Sequence, residues 1–471
     1  MRKKLFNIKN SPGETTLRLA LAFMVLFTFS KCKKEQIQVQ EERIIPDQKN
    51  LVSTNALPGP GGGVLMQAFY WDVPAGGNWY NTVSSKLSAW NSAGISAIWL
   101  PPPGKTMYGP TSMGYDPFDY FDVGQHNQMG STETRFGSLN ELNNLITTAH
   151  NNNIHVYADV VLNHNSGGAS QANPVTGGST YTKFTPMSGK FNRSYSDFHP
   201  NNIHANDEGY FGGFPDLCHM QANVSQWLWV RSDAVSKFYK NTLKFDGYRF
   251  DFVKGYAPWV AKDFANSTGG FSVGENWDAS VNVIKTWIDG TGRVCSAFDF
   301  PCYYKMDEAF DGNNLNKLND DMLWKRDAAK AVTFVTNHDT DIISDKMLAY
   351  AYILTHEGYP TIFYRDYEEW LNKAKLNNLI WIHRTLGVGT TTNLYTDTDE
   401  YIARRNGSPG LIVYINDSNS AKERWITTNW ANAAIKDYTG NSNWTSTTAA
   451  DSRVLIKVPA NSYTVWSKVG Y

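Results

Sequence analysis

GYRFDFVKGY, residues Gly247–Tyr256, is the stretch whose reading decides the fold. Tyr248, Phe250, Phe252 and Val253 make its middle a buried β-strand. A near-continuous apolar strand of this kind belongs to a parallel sheet covered by helices on its faces. Two charged residues interrupt it. Arg249 and Asp251 are two apart, so both point to one face. A permanent cation and a carboxylate on one side of an inner strand need a chemical reason.

Seven further runs share the character of this one: VLMQAFYW (64–71), AIWLPP (97–102), VYADVVL (156–162), FSVGEN (271–276), AFDFP (297–301), AVTFVTN (331–337) and PTIFYRD (360–366). Helical patterns such as SLNELNNLITTAHNNN and SQWLWVRSDAVSKFYKNTL lie between most of them. Eight strands alternating with helices imply an α/β fold, a closed (β/α)8 barrel, assigned to residues 58–164 and 226–383. Two parts break the rhythm. Residues 165–225, after the third strand, are rich in Gly, Asn, Pro, Ser and His, and so long a connection reads as a functional insertion. From 384 to 471 the helices stop and alternating strands such as EYIARRN, GLIVYIND and RVLIKV predict a small antiparallel β domain.

The chain has 471 residues, a formal net charge of -1 and 18% charged residues, a balance that argues against a nucleic-acid partner. Most of its 16 Trp, 25 Tyr and 24 Phe are expected in the core, and any excess beyond core need fits flat, amphipathic ligands such as sugars. At the N-terminus, Arg2, Lys3 and Lys4 precede an apolar run from Leu19 to Phe29, too short for a membrane span. Residues 1–32 read as an export signal and 33–57 as a polar tether opening with KKEQIQVQEER. The pattern resembles a bacterial lipoprotein signal with Cys32 as the lipidated residue. Lys31 is not the small residue that signal prefers, so plain secretion stays open beside membrane anchoring. Either places the protein outside the cytoplasm, and it is expected to act as a monomer. Cys295 and Cys302, if they flank one extended strand, lie about 20 Å apart at about 3.3 Å per residue, which predicts two buried thiols rather than a disulfide.

A barrel of this kind places its site at the C-terminal ends of its strands. The third strand leads into Asn163-His164, the fourth carries Arg249 and Asp251, the fifth Glu275 and the seventh Asn337-His338-Asp339. Alone, each has an ordinary explanation: a helix cap, a satisfied histidine, a structural ion pair. Their joint placement on four strands of one barrel is not explained that way. Paired carboxylates at one mouth are what glycoside hydrolysis needs, and Arg249 can keep Asp251 ionised and oriented.

DVVLNH, GYRFDFVKG, VGEN and FVTNHD resemble the four signature regions of the α-amylase family of glycoside hydrolases. The resemblance runs from about Val64 to the C-terminus. It is closest to the archaeal-type liquefying α-amylases, through MQAFYWDVP, SMGYDPFDYFD, YYKMDEAFD and IFYRDYEEWLNK. It implies that Asp251 is the nucleophile, Glu275 the general acid/base and Asp339 the third carboxylate. It also implies that Arg249 orients the nucleophile, that His164 and His338 hydrogen-bond the sugar, and that Tyr115 is the aromatic platform beneath it. Asn276 departs from the pattern, since relatives usually carry an aromatic residue after the acid.

The resemblance further implies a structural calcium between barrel and insertion, held by Asn163, Asp207, Asp216 and the carbonyls of Gly209 and Gly255. Acid and carbonyl oxygens suit Ca²⁺. A zinc beside it would take His199, His204 and Cys218, whose N and S ligands suit Zn²⁺; the spacing of these three alone fits ordinary loop residues and a buried thiol as well. The leading function is a retaining, endo-acting α-amylase on α-1,4-glucan. A transglycosylase or an exo-acting maltooligosaccharide hydrolase could use the same site, and a non-catalytic glucan-binding barrel is disfavoured because all three carboxylates are present.

Overall fold

In the computed structural model, which describes residues 63–204 and 211–471, eight parallel strands close into a barrel. They are β1 (Leu65–Gln67), β2 (Ala97–Leu100), β3 (His155–Val160), β4 (Gly247–Phe250), β5 (Phe271–Gly274), β6 (Ser296–Phe298), β7 (Ala331–Phe334) and β8 (Tyr359–Phe363). Each pairs with its neighbours in chain order, and β1 closes the ring by pairing Leu65 with both Ala97 and Thr361. These are the eight runs read from the sequence. The described residues fall within one compact unit, Ala56–Tyr471. The expected export signal, the tether and Cys32 lie outside the described residues, as do Asp207 and Gly209.

The helix Leu139–Asn151 shows how local chemistry sets an element. Ser138 caps it: the Glu141 amide donates to the Ser138 hydroxyl, and Glu141 Oε2 accepts from the Ser138 amide at 2.8 Å, a reciprocal capping box. Its buried face is Leu142, Leu145, Ile146 and Ala149, the helical spacing of a core-facing stripe.

Two readings need correction. SQWLWVRSDAVSKFYKNTL is not one helix. It forms wide π-type turns at Gln226–Val230 and Phe238–Thr242, broken where Arg231 turns extended (ψ 155°) and pairs with Asp233 at 2.8 Å. The fourth strand also stops earlier than its apolar run. β4 ends at Phe250, and Asp251 stands just beyond it, because Phe252 turns into the left-handed region (φ 43°) and Val253–Gly255 form a 3-10 turn.

The insertion holds two short ladders, Ala169–Asn173 with Gly178–Lys183 and Phe198–His199 with Asp216–Leu217. Beyond the barrel come β9 (Thr391–Thr396), β10 (Glu400–Arg405), β11 (Ile412–Asn416), β12 (Lys422–Thr427), β13 (Ala434–Asp437), β14 (Thr445–Thr447), β15 (Arg453–Val458) and β16 (Ser462–Lys468). They make a six-stranded sheet in the order β9-β10-β11-β16-β13-β14 and a pair β12-β15, the expected antiparallel C-terminal part. Cys295 and Cys302 are buried thiols, as expected from their spacing.

Asp299 ties the end of β6 to two helical segments that follow it. It follows β6, is fully buried, and accepts the amides of Cys302 (3.0 Å), Leu323 (3.0 Å) and Trp324 (2.8 Å). Burial still pushes its carboxyl up to about 6. Asp299→Ala would leave three buried amides without an acceptor. The expected loss is about 3 kcal/mol or more, read as a lowered melting temperature by circular dichroism; an unchanged melting temperature would contradict this role.

Candidate active site

Arg249 projects from β4 into the barrel and is fully buried. Its Nη1 donates to Asp159 Oδ1 and Oδ2 at 2.9 and 3.0 Å and to Asp251 Oδ1 at 2.7 Å. Its Nη2 lies 2.5 Å from Glu275 Oε1, an ion-pair contact that is not aligned as a hydrogen bond. One guanidinium therefore serves carboxylates from β3, from the end of β4 and from the end of β5. Trp99 lies under it, with the guanidinium carbon 4.9 Å from the ring centre.

Asp159 was not among the residues singled out from the sequence. It also accepts from Trp99 Nε1 (3.0 Å) and from the Tyr115 hydroxyl (2.8 Å). The signal was present: a carboxylate inside the apolar run VYADVVL is as anomalous as Arg249 inside its own. Burial raises the Asp159 carboxyl, while the Arg249 charge pulls it down. Burial likewise raises Glu275; Arg249 opposes this, and Asp251 and Asp339 add to the rise. Asp159 accepts four aligned hydrogen bonds and Glu275 only the Phe252 amide, at 3.2 Å. Glu275 is thus the better proton holder, since hydrogen bonds to the charged form favour ionisation.

On the other side of the mouth, His338 is buried among aromatic rings. Tyr115 stacks on it at 5.3 Å and 11°, and Trp71 stacks near both. Gln67 Nε2 lies 3.0 Å from His338 Nδ1, which leaves the ring proton on Nε2, facing Asp339 Oδ2 at 3.2 Å. Burial, then the Arg249 charge, depress the His338 pKa well below the usual range, so it stays neutral. Trp71, 48% exposed, extends the Tyr115 platform outward and was missed in the sequence reading although MQAFYWDVP contains it. A cavity of about 210 Å³ opens beside Trp71, His338 and Asp339 and reaches Arg365 and Trp370. His164 sits differently from the other expected sugar contacts. It is fully buried, its Nε2 is 2.9 Å from the Tyr115 carbonyl oxygen, and Phe211 and Phe214 of the insertion stack on its ring at 4.9 and 5.2 Å. Here it fixes the platform. Asn276 is buried with its Oδ1 unpaired; the next residue, Trp277, is 37% exposed and is held by the Tyr304 hydroxyl (2.6 Å) and by stacking on Phe300.

Of the expected metal ligands, Asn163, Asp216 and Gly255 meet at one corner. Asn163 Oδ1 is buried with no hydrogen-bond partner, and a Cβ on Gly255 would fall 1.9 Å from it. The Leu217 amide bonds the Asn163 carbonyl at 2.9 Å, which brings buried Asp216 alongside. The donors there are oxygens, the set calcium takes. His199 faces Asp216 across the short ladder, two residues before Cys218. Among the described residues, however, no three His, Cys, Asp or Glu side chains come together as a metal cluster, so His199, His204 and Cys218 are not gathered into one.

Residues 72–265 match the α-amylase catalytic domain and residues 411–467 the α-amylase C-terminal domain. The chain carries α-amylase-family catalytic and C-terminal domains. An α-amylase of Geobacillus stearothermophilus is 29% identical across 86% of this chain and 87% of its own. A glucan 1,4-α-maltohexaosidase of Bacillus sp. (strain 707) is 28% identical across 86% and 92%. The crystal structure of an Anoxybacillus α-amylase shares the fold, with a TM-score of 0.67 at 19% identity over 87% of this chain and 99% of that one.

The Asp159 contacts carry a prediction for this α-amylase-family site. Asp159→Asn should keep the fold but release one side of Arg249. Turnover should then fall about hundredfold through misplacement of the two carboxylates it holds, with KM little changed in steady-state kinetics. Wild-type turnover would show that Asp159 does not position Arg249.

Proposed function

We propose that this chain is a retaining, endo-acting α-amylase that hydrolyses internal α-1,4-glucosidic bonds of starch, glycogen and maltooligosaccharides. The observation that carries the reading is the Arg249 guanidinium shared by Asp251 and Glu275. Two carboxylates held on adjacent nitrogens of one guanidinium suit the close pairing that retaining glycosidases use rather than the wider one that leaves room for a water. Asp251, oriented by the Arg249 guanidinium, attacks the anomeric carbon. Glu275, raised by burial, gives its proton to the departing glucosidic oxygen and then takes one from the water that releases the sugar. Asp339 and neutral His338 face the sugar hydroxyls, with Tyr115 and Trp71 beneath the ring. MQAFYWDVP, SMGYDPFDYFD, YYKMDEAFD and IFYRDYEEWLNK support a place beside the archaeal-type liquefying enzymes.

Asp251→Asn and Glu275→Gln should each cut turnover by about 10⁴-fold or more with the fold intact. Proton NMR of fresh products should show the α-anomer first; a β-anomer would contradict retention. The maltohexaosidase among the relatives favours one second reading, exo-action, which would yield a single maltooligosaccharide from amylose at early times instead of a spread of lengths.

Asn163, Asp216 and the Gly255 carbonyl would hold calcium, with Asp207 and Gly209 completing the set, and the ion would tie the insertion to β3 and β4. His199, His204 and Cys218, which form no cluster among the described residues, would have to draw together to hold zinc. Metal binding adds to folding free energy. Elemental analysis should therefore find calcium whose removal by chelator lowers both the melting temperature and activity. It should also find zinc that is lost in Cys218→Ser and His204→Ala while Asp251 and Glu275 chemistry persists. Protein that carries no zinc even after zinc is supplied would make these three ordinary loop residues.

A further inference from the structure

Phe252 is the residue between the nucleophile and the turn, and its backbone is left-handed, φ 43° and ψ 51°. That conformation costs a non-glycine residue about 1–2 kcal/mol, and in a bulky aromatic it is a true outlier. Such strain persists only where the surroundings over-determine it. Here they do. The Phe252 amide donates to Glu275 Oε2 at 3.2 Å, and the next amide, Val253, donates to the Glu275 carbonyl at 3.3 Å. The Phe252 carbonyl accepts from Gly255 at 3.0 Å, the Tyr256 hydroxyl reaches back to the Asp251 carbonyl at 3.2 Å, and the Phe252 ring packs edge-on against Phe211 at 5.3 Å. The peptide that joins Asp251 to Phe252 therefore has the nucleophile on one side and a donor to the acid on the other. An extended residue 252 would continue β4 and send its amide into the strand ladder.

We propose that the left-handed backbone of Phe252 is a positioning device for the acid, holding its amide on Glu275 Oε2 and so fixing the setting of Glu275 against Asp251. The inference rests on Glu275 being the acid. The amide also acts on protonation. Arg249, Asp251 and Asp339 are the charged groups that face Glu275; the Phe252 amide adds a donor that favours the carboxylate. Losing it would raise the Glu275 pKa. An acid works while protonated, so the basic limb of the kcat/KM profile would move to higher pH.

Two substitutions separate backbone from ring. Phe252→Gly removes the ring but adopts positive φ readily. Phe252→Val is a β-branched residue that resists it. The expected result is a fall in kcat of about tenfold to hundredfold for Phe252→Val, with the basic limb moved up, and a smaller loss for Phe252→Gly with the limb in place. The position of the limb is read on the active fraction alone, so partial misfolding of either variant does not obscure it. If the Val profile overlays the wild type, or if Gly loses as much as Val with neither limb moved, the backbone is not the positioning element. Glu275→Gln serves as the control: a basic limb that persists in it overturns the acid assignment and this proposal with it, whereas a limb that vanishes there leaves Phe252 to be judged on its own variants.

Discussion

The buried guanidinium of Arg249 is the interaction on which the site depends. Taking a cation out of water costs several kcal/mol, and only close, well-directed anions offset that. Arg249 meets this demand with three carboxylates, from β3, β4 and β5. The same contacts that stabilise the cation set the distance between Asp251 and Glu275. Because one positive charge cannot keep every nearby carboxyl ionised, a carboxyl with few aligned donors holds its proton more readily, and Glu275 accepts one hydrogen bond against the four of Asp159. Stability and chemistry thus come from the same few contacts.

Around that centre the fold supplies stiffness. Tyr115 is held at its hydroxyl by Asp159 and at its carbonyl by His164, so the platform is tied both to β3 and to the loop that follows it. The turn after β4 places Gly255 against Asn163, and Asn163 binds the strand that carries Asp216. The corner proposed for calcium is therefore only a few residues from the nucleophile along the chain. Order in the insertion and geometry at Asp251 are linked through residues 251–256, whose internal hydrogen bonds leave little room for independent movement.

Much of this was legible in the sequence. Apolar runs of the right length, spaced by helical patterns, revealed the eight strands because a strand buried on both faces has no alternative composition. The charged residues that broke those runs or ended them marked the mouth. Asp159 is harder to single out because it is one carboxylate inside VYADVVL, while the Asn163-His164 pair just past that run is the stronger local signal. The turn at Phe252 was not legible: a phenylalanine after an alternating strand reads as more strand, and only tertiary contacts to Glu275 and Gly255 force it left-handed. The broken segment 226–242 failed for a similar reason, since its apolar spacing satisfies a helix while the Arg231–Asp233 pair interrupts it locally.

The most direct measurement is the pH–rate profile of Arg249→Lys, with the fold checked by circular dichroism. Lysine keeps the positive charge but presents a single ammonium, which cannot bridge three carboxylates from fixed directions. The expected result is a folded protein whose turnover collapses by about 10³-fold or more, with the remaining activity shifted to higher pH on the basic side as Glu275 loses its close contact with the cation. A lysine variant with near wild-type turnover and an unmoved basic limb would show that charge alone suffices, and that the shared guanidinium is not what sets the two carboxylates.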